Sequence, residues 1–234
     1  MERSPPKYPQ NVATRRWCLA SFGAASLMSR TFVLASASPA RFQLLTTAGL
    51  HPFVQVSHVD EDAIANTMPG IATMHLVMAL ATAKGEAVRD DLRITDATNA
   101  LIVAADSMLE FEGQSLGKPG TPEEAIRRWQ AMRGKRAVLH TGHWMFDQVT
   151  GQTRIGVAGA HVHFTHVDDD EIEAYVASGE PLNVAGAFTH EGRSAAYIEK
   201  IDGDGPAVGG ISLVLLRAMA RDLGITWHSL WSDH

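Results

Sequence analysis

The 234-residue sequence predicts an α/β fold, one elongated mixed sheet flanked by helices. Three observations lead there. Short apolar runs twice hand over to segments of helical period that open on capping residues. Residues 137–167 alternate as strands with no helical period. No repeat, low-complexity tract or long linker divides the chain, so the strands and helices are read as one unit.

Phe32–Ala35 reads as a buried strand. Pro39–Ala48 follows as a helix with Ser38 as N-cap, Pro39 at the first helical position and Gly49 at its C-terminal cap. "HPFVQVSHV" (51–59) predicts a second strand ending in Asp60, Glu61 and Asp62, and a long helix is expected over Pro69–Arg89. "ALIVAADSML" is a third buried strand, and "EFEGQSLGKPG" a hairpin turning at Glu112-Gly113. "TPEEAIRRWQAM" is a helix with Pro122 at its first position. After the alternating strands, which turn near "DQVTGQT", come a short acidic-ended helix (168–179), the strand "AAYIEKIDG" and the closing helix "SLVLLRAMARDLG". The expected organisation is a tail over 1–30, a domain over 31–226 and a C-terminal tail over 227–234.

Composition narrows the function. A formal net charge of −6 with no basic stripe argues against a general grip on nucleic acid. A single cysteine, Cys18, excludes an internal disulfide and fits a reducing, cytoplasmic setting. No apolar run reaches the ~20 residues of a membrane span. The twin arginine Arg15-Arg16 followed by small and apolar residues mimics an export signal. Arg30 closes that stretch and the first strand begins at once, so Met28 is the expected start and the preceding residues an extra tail.

Several residues look like chemistry. A strand that reaches a helix through "SASP" presents unpaired N–H groups and positive partial charge to an anion. Ser36 and Ser38 add hydroxyls, and Arg41 a forked cation suited to phosphate oxygens. The bland reading makes Ser38 a cap and Arg41 a solvated side chain. Lys84 interrupts the apolar stripe Val77, Leu80, Ala81 and Val88, so it either snorkels to the edge or meets a buried partner. Asp106 ends the apolar run "LIVAA", at the strand end where ligands of open α/β sheets gather; a carboxylate there can hold a metal or accept a proton from water. Lys118, before Pro119, is held extended and can face the same cleft. Eleven histidines invite a zinc reading, but His161 and His163 on one strand face with His166 opposite fit a half-exposed strand equally well. "DGDG" at 202–205 lacks the downstream glutamate of a calcium loop and reads as a turn.

"LASASPAR", "VDED", "AKGEA", "AADS", "GKP", "HTGH", "YVASGEP", "AGAF" with "EG" after it, and "GGISLVLLRAM" occur in this order over about residues 31–223. The series resembles the Maf family of nucleoside triphosphate pyrophosphatases, in a spelling similar to its actinobacterial branch. The resemblance implies an elongated fold related to the inosine triphosphate pyrophosphatases, often dimeric. It also implies hydrolysis between the α- and β-phosphates of a canonical, modified or non-canonical nucleotide, with Mg²⁺ or Mn²⁺. By motif, Ser36, Ser38 and Arg41 fall in the phosphate-binding turn; Lys84 and Lys118 are substrate-binding lysines; Asp106 is the proton acceptor. Asp106 and Glu61 are the metal contacts, and Glu191 a substrate contact. Two departures stand out. Ala40 replaces the first of two family arginines. Glu191 and Ser107 stand where pyrimidine-directed members carry glutamine and threonine, so a pyrimidine preference does not follow. The rival from another class is a non-catalytic, nucleotide-binding regulator of division or septum formation, which would need the cations but not Asp106.

Overall fold

Strand β1 (Thr31–Leu34) lies parallel to β2 (Phe53–Val54) on one side and to β3 (Ala100–Phe111) on the other. The computed structural model describes residues 30–91 and 99–231, so the twin arginine, Cys18 and Met28 lie outside the described residues. Beyond β3 the sheet turns antiparallel, through β5 (Arg136–Asp147), β6 (Gln152–Phe164) and β7 (Ile198–Gly203), in the order β2-β1-β3-β5-β6-β7. The short β4 (Gln114–Leu116) folds back on β3 through the expected turn at Glu112-Gly113. The mixed sheet and its flanking helices agree with the predicted class. No helix among the described residues is long and apolar enough to cross a membrane.

Alternation along β3 assigns its two faces. Ala100, Ile102 and Ala104 join Val33, Ala81, Val88 and Trp144 in one apolar cluster. It is covered by α3 (Thr73–Arg89). Leu101, Val103 and Ala105 face the other way, into a cluster with Leu45 of α1 (Pro39–Thr47) and Leu216 and Met219 of α7 (Leu213–Asp222). Further along that second face, Leu109 and Phe111 enter a third cluster built on Trp129 of α4 (Pro122–Met132) and Tyr175 of α5 (Asp169–Ala177). Burial of this apolar area is the main stabilising term, at roughly 25 cal/mol per Å². Packing continues past residue 226: a 3₁₀ turn over Trp227–Leu230 places Leu230 in the α1/α7 cluster, within the segment expected as a tail.

Two expected elements are shorter. The strand over 51–59 contracts to Phe53–Val54, both exposed at the sheet edge with no core face to extend them. His58 then takes a φ of 53°, and the Asp60 side chain accepts the Ala63 N–H to start a new helix, α2 (Glu61–Asn66). The long helix starts at Thr73 instead of Pro69, because Gly70 sits at φ 76° outside helical geometry. A last short helix, α6 (Gly205–Val208), is capped by Asp204, so "DGDG" is a turn into a helix.

One feature of the topology positions the site. β1 stops pairing with β3 at Val103, and β4 begins pairing on the same edge only at Leu109. Among the described residues, Ala104–Met108 have strand β5 on one side and no strand on the other. Asp106, expected at the end of its strand, therefore lies in the middle of β3, just past the point where β1 stops pairing.

Candidate active site

The chain leaving β1 turns across that interruption through Ser36 and Ser38. Ser38 caps α1, its Oγ accepting the Arg41 N–H at 3.4 Å, and Pro39 follows at the first helical position. Ser36 Oγ accepts from Ser38 N at 3.2 Å and from Arg41 Nη1 at 3.0 Å, which leaves its own O–H as a donor. Arg41 is buried, not solvated. Its Nε donates to the Gly210 carbonyl at 2.7 Å and its Nη2 to Ser107 Oγ at 3.1 Å. Gly210 adopts φ +104°, and a Cβ there would stand 3.2 Å from that Nε. Burial lowers the Arg41 pKa, opposed by the attraction of Asp106 and Glu61; a guanidinium still keeps its charge.

On the opposite face of β3, Lys84 reaches from α3 to the carboxylates. Its Nζ lies 2.6 Å from Asp106 Oδ1 and 2.9 Å from Glu61 Oε1, so the lysine meets one buried partner, Asp106, and a half-exposed one, Glu61, instead of snorkelling. Lys84 and Asp106 are 7% and 5% exposed, too dry to be ordinary surface groups. Burial raises the Asp106 pKa against the pull of Lys84 and Arg41. Burial also acts to raise that of Glu61, but Lys84, Lys118 and Arg41 together bring it below the ordinary carboxylate value. The close approach of α3 depends on Gly142 of β5, opposite Asp106, where a Cβ would lie 2.3 Å from the Val77 carbonyl.

Lys118 stands exposed on the turn after β4, near enough to act on Glu61. Glu191 is exposed on the loop before β7, its Oε1 3.4 Å from His190 Nε2 and next to the position of a Gly209 Cβ. Ala40 is exposed on the first turn of α1. Ser36, Ser38, Arg41, Lys84, Asp106 and Glu61 therefore meet around the interruption, with Lys118 within electrostatic reach. Glu191 adjoins the Gly209-Gly210 segment that holds Arg41. His163 pairs with Asp202 at 3.1 Å, and no group of three or more His, Cys, Asp or Glu side chains among the described residues can hold a metal.

Some supporting residues were not singled out from the sequence. Thr141 bonds Ser107 Oγ at 2.9 Å and donates to the Ala207 carbonyl at 2.8 Å; His143 Nε2 accepts the Ser212 N–H at 2.8 Å. Both occupy one face of β5, on either side of Gly142 in "HTGH", and that pair of polar residues within a buried strand is the available signal. Gly210 carries no such signal, because what it supplies to Arg41 is a backbone carbonyl.

A mixed α/β sheet broken at one edge, with a buried carboxylate facing fixed cations, defines a protein built to handle a polyanion. The chain belongs to the Maf family: the family described as "Maf-like protein" matches residues 31–223. It is similar to proteins named nucleoside triphosphate pyrophosphatase. That of Streptomyces coelicolor is 49% identical over 203 residues, covering 87% of this chain and 95% of the relative. That of Salinispora tropica is 46% identical over 200 residues, covering 86% and 87%. The Synechocystis sp. protein is 45% identical over 204 residues, covering 87% and 100%.

Proposed function

We propose that this chain is a nucleoside triphosphate pyrophosphatase, cleaving the α–β phosphate bond to give the nucleoside monophosphate and pyrophosphate. The names of its relatives support the reaction. The observation that carries the site assignment is the meeting of Asp106, Lys84, Glu61 and Arg41 at the sheet interruption.

In this reading the oxygen of a water bonds to the α-phosphorus as the bond to the bridging oxygen breaks, and the water's proton passes to Asp106. Burial, which raises the proton affinity of Asp106, suits it to accept that proton. Lys84 holds the Asp106 carboxylate in place and has a further N–H to offer a phosphate oxygen. Arg41, Lys118 and the Ser36–Ser38 turn oppose the charge that builds on the departing pyrophosphate. Two carboxylates, with no third His, Cys, Asp or Glu grouped with them among the described residues, suit the way Mg²⁺ or Mn²⁺ is held jointly by a protein and substrate phosphates, so Asp106 and Glu61 are the residues that would hold it. When bound, such a cation supplies charge neutralisation on the phosphates.

Glu191 is assigned to the base. An ionised carboxylate only accepts hydrogen bonds, which favours a base edge bearing N–H donors and a modified or non-canonical nucleotide of that kind. A cytoplasmic setting and a homodimer complete the proposal. The test is product analysis on a panel of canonical and modified triphosphates with Mg²⁺ or Mn²⁺. Equimolar monophosphate and pyrophosphate are expected, with Asp106→Asn lowering kcat by ~10²-fold or more while triphosphate still binds. Release of orthophosphate, or near wild-type turnover in the variant, would overturn the assignment.

A further inference from the structure

Lys118 has a charge to place but little of its own to place it with. Among the described residues its ammonium makes no hydrogen bond or ion pair, so the position of its turn decides where the charge stands. The turn is fixed by backbone. Pro119 is buried, the Gly120 N–H donates to the Leu182 carbonyl at 3.2 Å, and the Gly117 carbonyl accepts from Gly186 N at 3.1 Å. A second donor reaches that same carbonyl from another element: Arg128 Nη1 on α4, at 2.6 Å.

Arg128 is itself held. Its Nε donates to Glu124 Oε1 at 2.6 Å, one helical turn earlier, and only 11% of its side chain is exposed. Hydrogen bonds from Arg128 and Arg127 hold the Glu124 carboxyl below its ordinary pKa, so it remains an anion. The guanidinium is planar, so fixing Nε on Glu124 also fixes the direction in which Nη1 points. A charge-assisted bond to a backbone carbonyl is stronger than an amide–carbonyl one. This one lands on the residue immediately before the lysine.

We propose that Arg128 is a positioning residue for Lys118: anchored on Glu124, it holds the Gly117 carbonyl and so aims the lysine turn at the triphosphate. The inference rests on the reading of Lys118 as a phosphate-binding group. Arg128 touches neither substrate nor reacting atoms in this scheme. Because Gly186 also holds the carbonyl, removing Arg128 loosens the turn without releasing it.

The experiment is a double-substitution cycle on the full chain, reading kcat/KM for pyrophosphate release well below each variant's melting temperature. Lys118→Met is expected to lower kcat/KM about 100-fold and Arg128→Met about tenfold. In the Lys118→Met background, Arg128→Met should then cost at most about twofold more, since there is no longer a charge to aim. Arg128→Lys, which keeps one donor but not the fork, should recover part of the loss. Glu124→Gln gives a milder test if Arg128→Met folds poorly, with a loss of about threefold that also vanishes without Lys118. An unchanged Lys118→Met enzyme would sink the phosphate reading of Lys118 and the inference with it. An impaired Lys118→Met enzyme, beside an Arg128→Met effect that is absent or fully additive, would sink the role of Arg128 alone.

Discussion

His143 is fully buried on β5, and its Nδ1 has no hydrogen-bond partner among the described residues. Its Nε2 accepts the Ser212 N–H, which requires the neutral ring. Burial, with the Arg41 charge adding to it, brings its pKa down to about 4, against weaker opposing pulls from the Thr141 backbone and Asp204. The folded pKa lies below the unfolded ~6.5, so between these values the unfolded chain binds more protons and stability falls as pH falls. The full effect is about 3 kcal/mol, absent above pH ~6.5 and complete below pH ~4. His143→Gln, which retains an acceptor for Ser212, should flatten that part of the stability curve in urea melts from pH 7 to pH 4. A wild-type curve no steeper than the variant's would show that the ring does not titrate as described. Single residues were unevenly legible in the sequence. Asp106 was visible because a carboxylate ends an apolar run. His143 and Thr141 lie within "HTGH", but nothing in that stretch says that they support Ser107 and the Ser212 backbone, which come from distant segments.

At the scale of elements, α3 does two jobs: it covers one face of the sheet and it delivers Lys84. Both depend on contact closer than a side chain allows. A Cβ on Gly142 would meet the Val77 carbonyl at 2.3 Å, and one on Gly85 would meet the Trp144 ring at 2.1 Å. The tryptophan can shift, but the backbone of α3 cannot do so without carrying the helix with it. Gly142→Ala is therefore expected to lower stability by about 2–3 kcal/mol and to reduce activity per folded molecule by pulling Lys84 from Asp106. Urea midpoints and pyrophosphate release on the same samples check both; a loss of stability with full specific activity would separate the packing from the site. Two helices could be placed from their caps, since Ser38 and Thr121 accept the backbone N–H of Arg41 and Glu124. The segment between β2 and α3 could not. The stretch "HPFVQVSHV" suggested a strand, but past Gln55, whose N–H still donates to the Leu34 carbonyl, no strand among the described residues pairs with it.

For the molecule as a whole, one polar band separates two of the three apolar bodies, those on the face of the sheet away from α3. On a single face of β3, Ala105 belongs to the α1/α7 cluster and Leu109 to the α4/α5 cluster, and Ser107 stands between them. Arg41, Ser107, Thr141 and the Ala207 carbonyl complete the band. The sequence showed where the apolar runs lay but not that they divide here, because the partners come from four distant segments. β3 and β5 nevertheless contribute to both bodies. Urea unfolding should accordingly be a single transition, with β3 amides before and after Ser107 sharing one opening free energy in hydrogen exchange. Two transitions would mean that the band uncouples the bodies. The missing neighbour beside Ala104–Met108 has a different consequence. Five residues of bare strand edge span about 17 Å, and β1 and β4 close both ends of the notch. A foreign peptide cannot lie along it and continue the sheet, so the gap gives no foothold to fibril growth.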